Sequence, residues 1–511
     1  MAVKVSTSED LTVAGAVAPV ELHGRRPIYT NVTEINRANV RKVLNDALSV
    51  HIKNRTEEQY LERYLRGIQP ILARSKVYND YVCNRTVVNI ANEIVTFKTA
   101  EFAGEPIQYV SRGSKKSIPK KLEKLNAMMI SEGKQSKDLD LAYKMFTNGV
   151  AYRLVLNDKA KPYADGELFD EAPFEIYIPE PRNTFVVRVN DVSSRVIMGV
   201  TYVYLDDTHV QYTVYTKDSA YKLEGTNLRA NEIVDVSVHN LGIVPLVEYP
   251  CNSIRMSPIE VVHDLLNSMN LVLSDRLDGV EQFIQALMVF EGVDITREDF
   301  LELKDLGAIK LPPAMDGRTS RVYYLSEQLD QGQTQTLVDD MYQTILHIVG
   351  MPSQGNGNTG DSSNNGAVIL KNGWWSAEAR AQEVEGNWRA SETEFLKIVL
   401  KICADSNALT NLAVSDVQCK FGRRSYQDLL TKTQSFTTLM GANVPPLQAY
   451  KYSALDTDPE AAAIQYEAYQ EQRRGEQEAS LMEEINRART AAVQTVRSGS
   501  VSSDEESDTE D

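Results

Sequence analysis

The sequence is poor in the residues that staple, anchor or charge a protein positively. Its 511 residues include only four cysteines, Cys83, Cys251, Cys403 and Cys419, and none forms a CxxC pair. That spacing suits neither a zinc site nor a disulfide framework and fits a reducing compartment. No run of eighteen apolar residues occurs, so no transmembrane helix and no membrane partner is expected. The first residues lack the basic-then-apolar layout of a secretory signal, so the sequons at Asn31, Asn54 and Asn84 carry no weight. Positive charge is scarce too: 54 Lys and Arg stand against 71 Asp and Glu, a net charge of -17. A protein that grips phosphate backbone carries basic stripes, so tight DNA binding is disfavoured, whereas letting DNA pass without holding it is not.

Chemical motifs are missing as well. There is no GxxxxGK[ST], no GxSxG and no HExxH, and the six histidines are scattered without ligand spacing. GNGNTG at 355–360 matches GxGxxG in letters, but helical text precedes it and more polar loop follows, so it reads as a flexible loop. His263-Asp264 and Asp339-Asp340 sit in helical text, where adjacent side chains diverge, and read as solvated groups rather than acid/base pairs. No catalytic residue, metal ligand or cofactor is therefore assigned, and the chain is not expected to be an enzyme.

What is present is ordered text. With 42% hydrophobic and 24% charged residues the composition is that of a globular protein, and the length calls for two to four subdomains. Residues 1–32 are small and polar and read as a flexible arm. From 33 to 149 the pattern is helical: Ile35, Val40, Val43, Leu44, Leu48 and Ile52 recur at threes and fours, a second run (Tyr60, Tyr64, Ile68, Leu72) ends near Pro70, and a third spans Val87–Val95. Lys137–Phe146 is a further amphipathic helix. Residues 150–256 are β-rich: VAYRLVL, FEIYI, TFVVRV, VIMGVTYVYL and VQYTVYT, separated by turn signals, predict an antiparallel meander. At Ser257 a capping box opens a helix, with Pro258 at its first position and Glu260 at its third, and the apolar series predicts about 50 Å of helix to Glu291.

Residues 292–328 interrupt with Pro-Pro and Asp-Gly turns and the strand VYYL, in which Ile309, Leu311 and Tyr323 would hold the insertion's fold. A second helix, 329–349, has a first half rich in Gln, Thr and Asp, as expected of a face turned to water. Residues 350–366 are a Gly/Asn/Ser loop. A long helix with Trp374, Trp375 and Trp388 and a strand, VSDVQCKF, follow over 367–424. Mixed charge around the tryptophans favours packing over base stacking. Helices return over 425–497, with a break expected at Gly475, and the acidic tail 498–511 reads as disordered. The fold class is α+β, mainly helical.

The order of these parts resembles the portal (head-to-tail connector) family of tailed bacteriophages, in the group with long non-contractile tails. SPIEVVHDLLNSMNLVLSDRLDGVEQF is similar to that family's first stem helix, and the text from Val417 through GANVPPLQAYKYSALDTDPEAA resembles the passage into its crown, except that Pro445-Pro446 replaces a Ser-led turn. The resemblance implies a portal fold in which 33–149 and 150–256 are a helical and a β-rich wing, 257–291 and 329–349 are stem helices, 292–328 is the clip, and 350–366 is a tunnel loop. It also implies that 367–424 is a wing helix with its strand and 425–497 the crown.

It further implies a ring, usually of twelve copies, at one capsid vertex of the virion, assembled in the host cytoplasm. Double-stranded DNA would pass through without sequence reading. The partners implied are the terminase large subunit, a head-completion adaptor, and the major capsid and scaffolding proteins. The expected channel residues are Gln335, Asp339 and Gln343 on the second stem helix and Gln354, Asn356, Asn358, Asn364 and Asn365 on the loop. The expected partner-binding residues of the clip are Glu298, Asp299, Lys304, Asp305, Lys310, Arg318 and Arg321. Another oligomeric connector or adaptor protein, or a phage-encoded enzyme, are the alternatives.

Overall fold

In the computed structural model the described residues are 21–76, 82–112, 118–157, 172–284, 287–291, 321–325, 331–352, 373–422, 429–456 and 459–499. They form two compact units, one of Met1–Pro106 with Met128–Thr410 and one of Ile107–Ala127 with Asn411–Asp511.

The first unit opens with β1 (Ile28–Thr30) and α1 (Val40–Leu65), and α2 (Ile90–Ala103) follows. The two helical runs expected across Ile35–Leu72 are thus mostly one helix of 26 residues. It stops at Leu65, and Pro70 instead starts a short 3₁₀ turn, Pro70–Ala73. The described part of the arm expected over 1–32, residues 21–32, is held to the fold. Ile28 is buried, β1 lies parallel to the strand Thr184–Val189, and Arg25 is 2% exposed. Three residues too short to show a period make such a strand invisible in sequence.

β2 (Ile107–Ser111) belongs to the second unit. α3 (Ile118–Ser131) leads to α4 (Lys134–Asn148) and to β3 (Val150–Asn157), β4 (Phe174–Tyr177), β5 (Thr184–Val189), β6 (Val196–Tyr204), β7 (His209–Tyr215), β8 (Ser219–Thr226), β9 (Arg229–Val238) and β10 (Leu246–Pro250). The meander is real over β5 to β9, but the strands form two sheets: one ordered β1-β5-β6-β7-β8-β9, the other β10-β3-β4. α1 covers one face of the larger sheet, where Val40, Val43, Leu44, Ala47 and Leu48 meet Phe185, Val187, Met198, Val200 and Tyr212. Adjacent Val186 points the other way and joins Val150, Tyr152, Leu154 and Leu246 between the sheets, as the two-residue strand period requires.

α5 (Pro258–Ile284) begins at the expected capping box. The Ser257 N–H donates to Glu260 Oε1 at 3.0 Å, and Ser257 Oγ accepts from the Ile259 N–H at 3.2 Å. Gly24 and Gly149 both pack under the chain just before this start. A Cβ on either would lie 2.3 Å from the Ile254 carbonyl oxygen or 2.2 Å from that of Arg255, and both glycines have positive φ. The helix ends at Ile284 rather than Glu291. LMVFE becomes β11 (Leu287–Glu291), paired antiparallel with β12 (Arg321–Leu325), so hairpin pairing displaces the last helical turns. At 27 residues α5 is about 40 Å long. α6 (Gln331–Val349) and α7 (Trp374–Asp405) complete this unit.

In the second unit β13 (Val417–Phe421) pairs antiparallel with β2, and a 3₁₀ turn at Val414–Asp416 takes the first residues of the expected strand. α8 (Leu429–Gly441), α9 (Pro446–Ser453) and α10 (Pro459–Gly499) follow. Pro446 occupies the first position of α9, where a missing N–H costs nothing. α10 runs unbroken through Gly475, contrary to the expected break. A glycine costs about 1 kcal/mol there, too little to stop a long helix.

Candidate functional site

Of the two helices expected to line a channel, α6 has one buried apolar side and one exposed polar side. On α6, Val338, Ile345, Leu346 and Val349 are buried, while Gln335, Asp339 and Gln343 are exposed. Their spacing of four residues puts the three exposed groups in one row. They are joined to α5 by a short chain: Arg276 Nη1 donates to Gln335 Oε1 at 2.7 Å, and Gln335 Nε2 donates to Asp339 Oδ1 at 2.7 Å. On the other side, the Tyr342 hydroxyl donates to Glu93 Oε1 of α2 at 3.2 Å.

Charge on this pair is one-sided. α5 carries Glu260, Asp264, Asp275, Asp278 and Glu281, and α6 carries Asp339 and Asp340; the one Lys or Arg on either helix is Arg276. Asp264, Asp275, Asp339 and Asp340 are exposed. Glu260 and Asp278 are buried and paired. Glu260 accepts from Arg25 at 2.9 Å and from the Gly24 N–H at 3.1 Å. Burial pushes Asp278 up, but hydrogen bonds from Lys76 and Asn84 hold it down at about 2.

Of the other expected site residues, Gln354, Asn356, Asn358, Asn364 and Asn365 lie outside the described residues, as do Glu298, Asp299, Lys304, Asp305, Lys310 and Arg318. Ile309, Leu311 and the GNGNTG run at 355–360 also lie outside them. Arg321 is the first residue of β12, opposite Glu291, and Tyr323 pairs with Val289.

The sequence reading missed a buried ion network. Lys134 Nζ lies 2.5 Å from Asp138 and 3.0 Å from Glu392, Arg153 bridges Asp138 and Glu392, and the Tyr249 hydroxyl donates to Glu392 at 2.9 Å. All four charged side chains are at most 4% exposed. The Arg153 guanidinium also lies over Phe395, 4.5 Å from the ring centroid. Two cations against two carboxylates make the set neutral, and it joins α4, β3, β10 and α7. No sequence spacing links Asp138 to Glu392, so nothing local signals it. Trp388 stands beside it, 1% exposed and edge-on to Tyr249 and Phe102, which makes it core rather than a base platform. Trp374 lies tilted against Phe97.

Nothing among the described residues converges as an active site would. His51 is held near 3 by burial and is neutral, with Nε2 between the Arg182 carbonyl and the Tyr202 hydroxyl. His263 meets Tyr60 at 2.8 Å on one side and, on the other, a fully exposed Asp264. A groove of about 530 Å³ between β5–β6 and α7 contains Arg188 and Glu248, which pair with each other at 2.5 Å. Among the described residues no group of His, Cys, Asp and Glu could hold a metal ion, and no helix is long and apolar enough to cross a membrane.

Residues 46–479 match the family described as phage portal protein, SPP1 Gp6-like. No curated protein matches the chain.

Proposed function

We propose, from the premise that the chain belongs to the phage portal protein family of the SPP1 Gp6-like type, that α5 and α6 form the wall of its DNA channel. The chain is accordingly a virion protein of the head-tail connector that serves genome packaging, and the family is a structural one. The finer reading is a ring of twelve copies at one capsid vertex that catalyses no reaction itself. The packaging ATPase, the terminase large subunit, supplies the work. A head-completion adaptor replaces it afterwards, and the major capsid and scaffolding proteins surround the ring.

The observation that carries the channel reading is the charge of the two helices' exposed carboxylates, Asp264, Asp275, Asp339 and Asp340, against the one arginine, Arg276. Duplex DNA carries about one negative charge per 1.7 Å of axis, and a basic wall would hold it and stall its movement. An acidic wall keeps the duplex centred and weakly held. Arg276 donates to Gln335, which holds the one positive group against α6. Gln335, Asp339 and Gln343, with Gln354, Asn356, Asn358, Asn364 and Asn365 from the loop, then offer short polar contacts that read no sequence. Glu298, Asp299, Lys304, Asp305, Lys310, Arg318 and Arg321 give the clip a mixed-charge surface, which suits successive partners better than a large apolar one.

Shortening residues 354–365 is expected to leave rings intact by electron microscopy while filled heads become rare. Normal packaging by that variant would overturn the loop's role. Lys310→Glu with Arg318→Glu is expected to weaken capture of the terminase large subunit, and unchanged capture would remove the clip surface.

A further inference from the structure

One face of α5 carries an unbroken polar stripe, Glu260, His263, Asn267, Asn270, Ser274, Asp278 and Glu281, at steps of three or four residues. Asn270, Ser274 and Asp278 are at most 2% exposed and the other four are partly buried, so the stripe is turned into the fold. Its partners come from α1 and from the segment after it. The Tyr60 hydroxyl meets His263 at 2.8 Å, the Tyr64 hydroxyl donates to Asn267 at 3.0 Å, and Gln69 Oε1 accepts from Asn270 at 2.5 Å. Beyond them an extended strap takes over with its backbone. The Val88 N–H donates to Asn270 Oδ1 at 2.8 Å, the Thr86 N–H to Ser274 Oγ at 3.0 Å, and the Asn84 N–H to Asp278 Oδ1 at 2.6 Å. The Asn84 side chain reaches Glu281 at 3.1 Å.

The two repeats match. Every second residue of an extended strap advances about 6.7 Å, and four residues of helix advance about 6.0 Å. The strap is also a closed piece: Arg74 Nη1 donates to the Asn84 carbonyl at 3.0 Å, and Arg85 Nε donates to the Arg74 carbonyl at 2.9 Å. Lys76 and Arg74 clamp Asp278 from this piece at 2.5 and 3.0 Å.

We infer that residues Asn84–Val88 and the stripe Asn270, Ser274 and Asp278 form an indexed clamp that positions the channel helix α5 along its own axis and lets it move only by whole turns. A displacement of one turn moves each strap N–H to the next polar group: Val88 to Ser274, Thr86 to Asp278 and Asn84 to Glu281, with Tyr60 passing to Asn267. The opposite displacement brings Val88 to Asn267, Thr86 to Asn270, Asn84 to Ser274 and Tyr60 to Glu260. A half-turn leaves three part-buried N–H groups without acceptors. The stem therefore has discrete stations and no stable intermediate, the behaviour expected of elements that repack by one helical turn. The inference rests on the reading of α5 as channel wall. The groups named are positioning residues and need not touch DNA.

The test is made on assembled particles carrying Cys83→Ser and Cys419→Ser, with Thr86→Cys and Ser274→Cys added. A short reducible bis-methanethiosulfonate crosslinker applied before packaging fixes the present register. Expected are portal rings at the vertex in normal number, about tenfold fewer filled heads, and recovery on reduction. Filled heads at the uncrosslinked level after complete crosslinking would overturn the clamp. Asp278 gives a second measurement without crosslinking. Asp278→Asn keeps the acceptor and is expected to package within about twofold of the parent, while Asp278→Leu falls about tenfold with rings intact. Equal packaging by both would also overturn it. Absence of the protein from the vertex would sink the channel reading instead.

Discussion

The helices α5 and α10 are both long, yet they are held in opposite ways. α5 is gripped by an apolar stripe (Ile259, Val262, Leu266, Met269) and by the buried polar stripe beside it. α10 buries Ala462 and Ala463 near its start, and every residue from 471 to 490 is exposed, including Leu481, Met482 and Ile485. The difference teaches that length and hydrophobic spacing announce a helix without saying what secures it. One helix is specified by tertiary hydrogen bonds, the other by propensity and by pairs along its own surface such as Arg487–Glu483 at 2.6 Å.

That contrast can be broken most sharply with ion pairs. Glu392→Ala leaves Arg153 and Lys134 buried with one carboxylate between them, and it is expected to cost about 3–5 kcal/mol in a denaturant melt of the full chain. A loss below about 1 kcal/mol would show that the network adds little to the frame around α7.

A pH series sharpens the same comparison. Burial raises Glu58 of α1 to about 8 from its ordinary 4.5, with Arg25 opposing. The folded chain thus keeps a proton that the unfolded chain releases. This contribution to stability is full below about pH 4.5, falls as pH rises, and is lost above about 8. Glu58→Gln is expected to melt higher than the parent at about pH 8.5 and to lose less on going there from about pH 5. Parallel melting curves for the two proteins would contradict the burial argument.

Smaller effects are expected in α10. A methyl group added at Gly475 would meet nothing within 4 Å, so Gly475→Ala should raise helicity by circular dichroism and add about 0.5–1 kcal/mol. Smallest of all, Glu483→Ala breaks a solvent-exposed pair and should change stability by no more than about 0.5 kcal/mol in a thermal melt. A loss as large as that for Glu392→Ala would mean that this surface is buried in the assembled protein.

Much of the fold was legible because it is local. The Ser257–Glu260 cap, the start of α6 near Asp330, the strand at Val417–Phe421 and the β-rich text after Val150 all follow from spacing and turn residues. The misses share one cause. β1, β8, β9 and β10 are short or mixed in character, and the strand LMVFE reads as helix until RVYYL lies beside it. The candidate site divides in the same way. Gln335, Asp339 and Gln343 were readable as one polar face, whereas nothing along the chain connects Asn84 to Asp278 or Arg153 to Glu392.

The sequence by itself determined the alternation of helical and β-rich parts, the acidic balance, the lack of nucleophile, phosphate-loop and metal motifs, and an order of parts similar to one structural family. Only the tertiary structure decided where α5 ends, which polar groups on it are buried, and which charges meet in the core. Periodicity and capping act over three or four residues and are written in the chain, but a hydrogen bond between residues far apart in sequence exists only once packing has expelled the water between them.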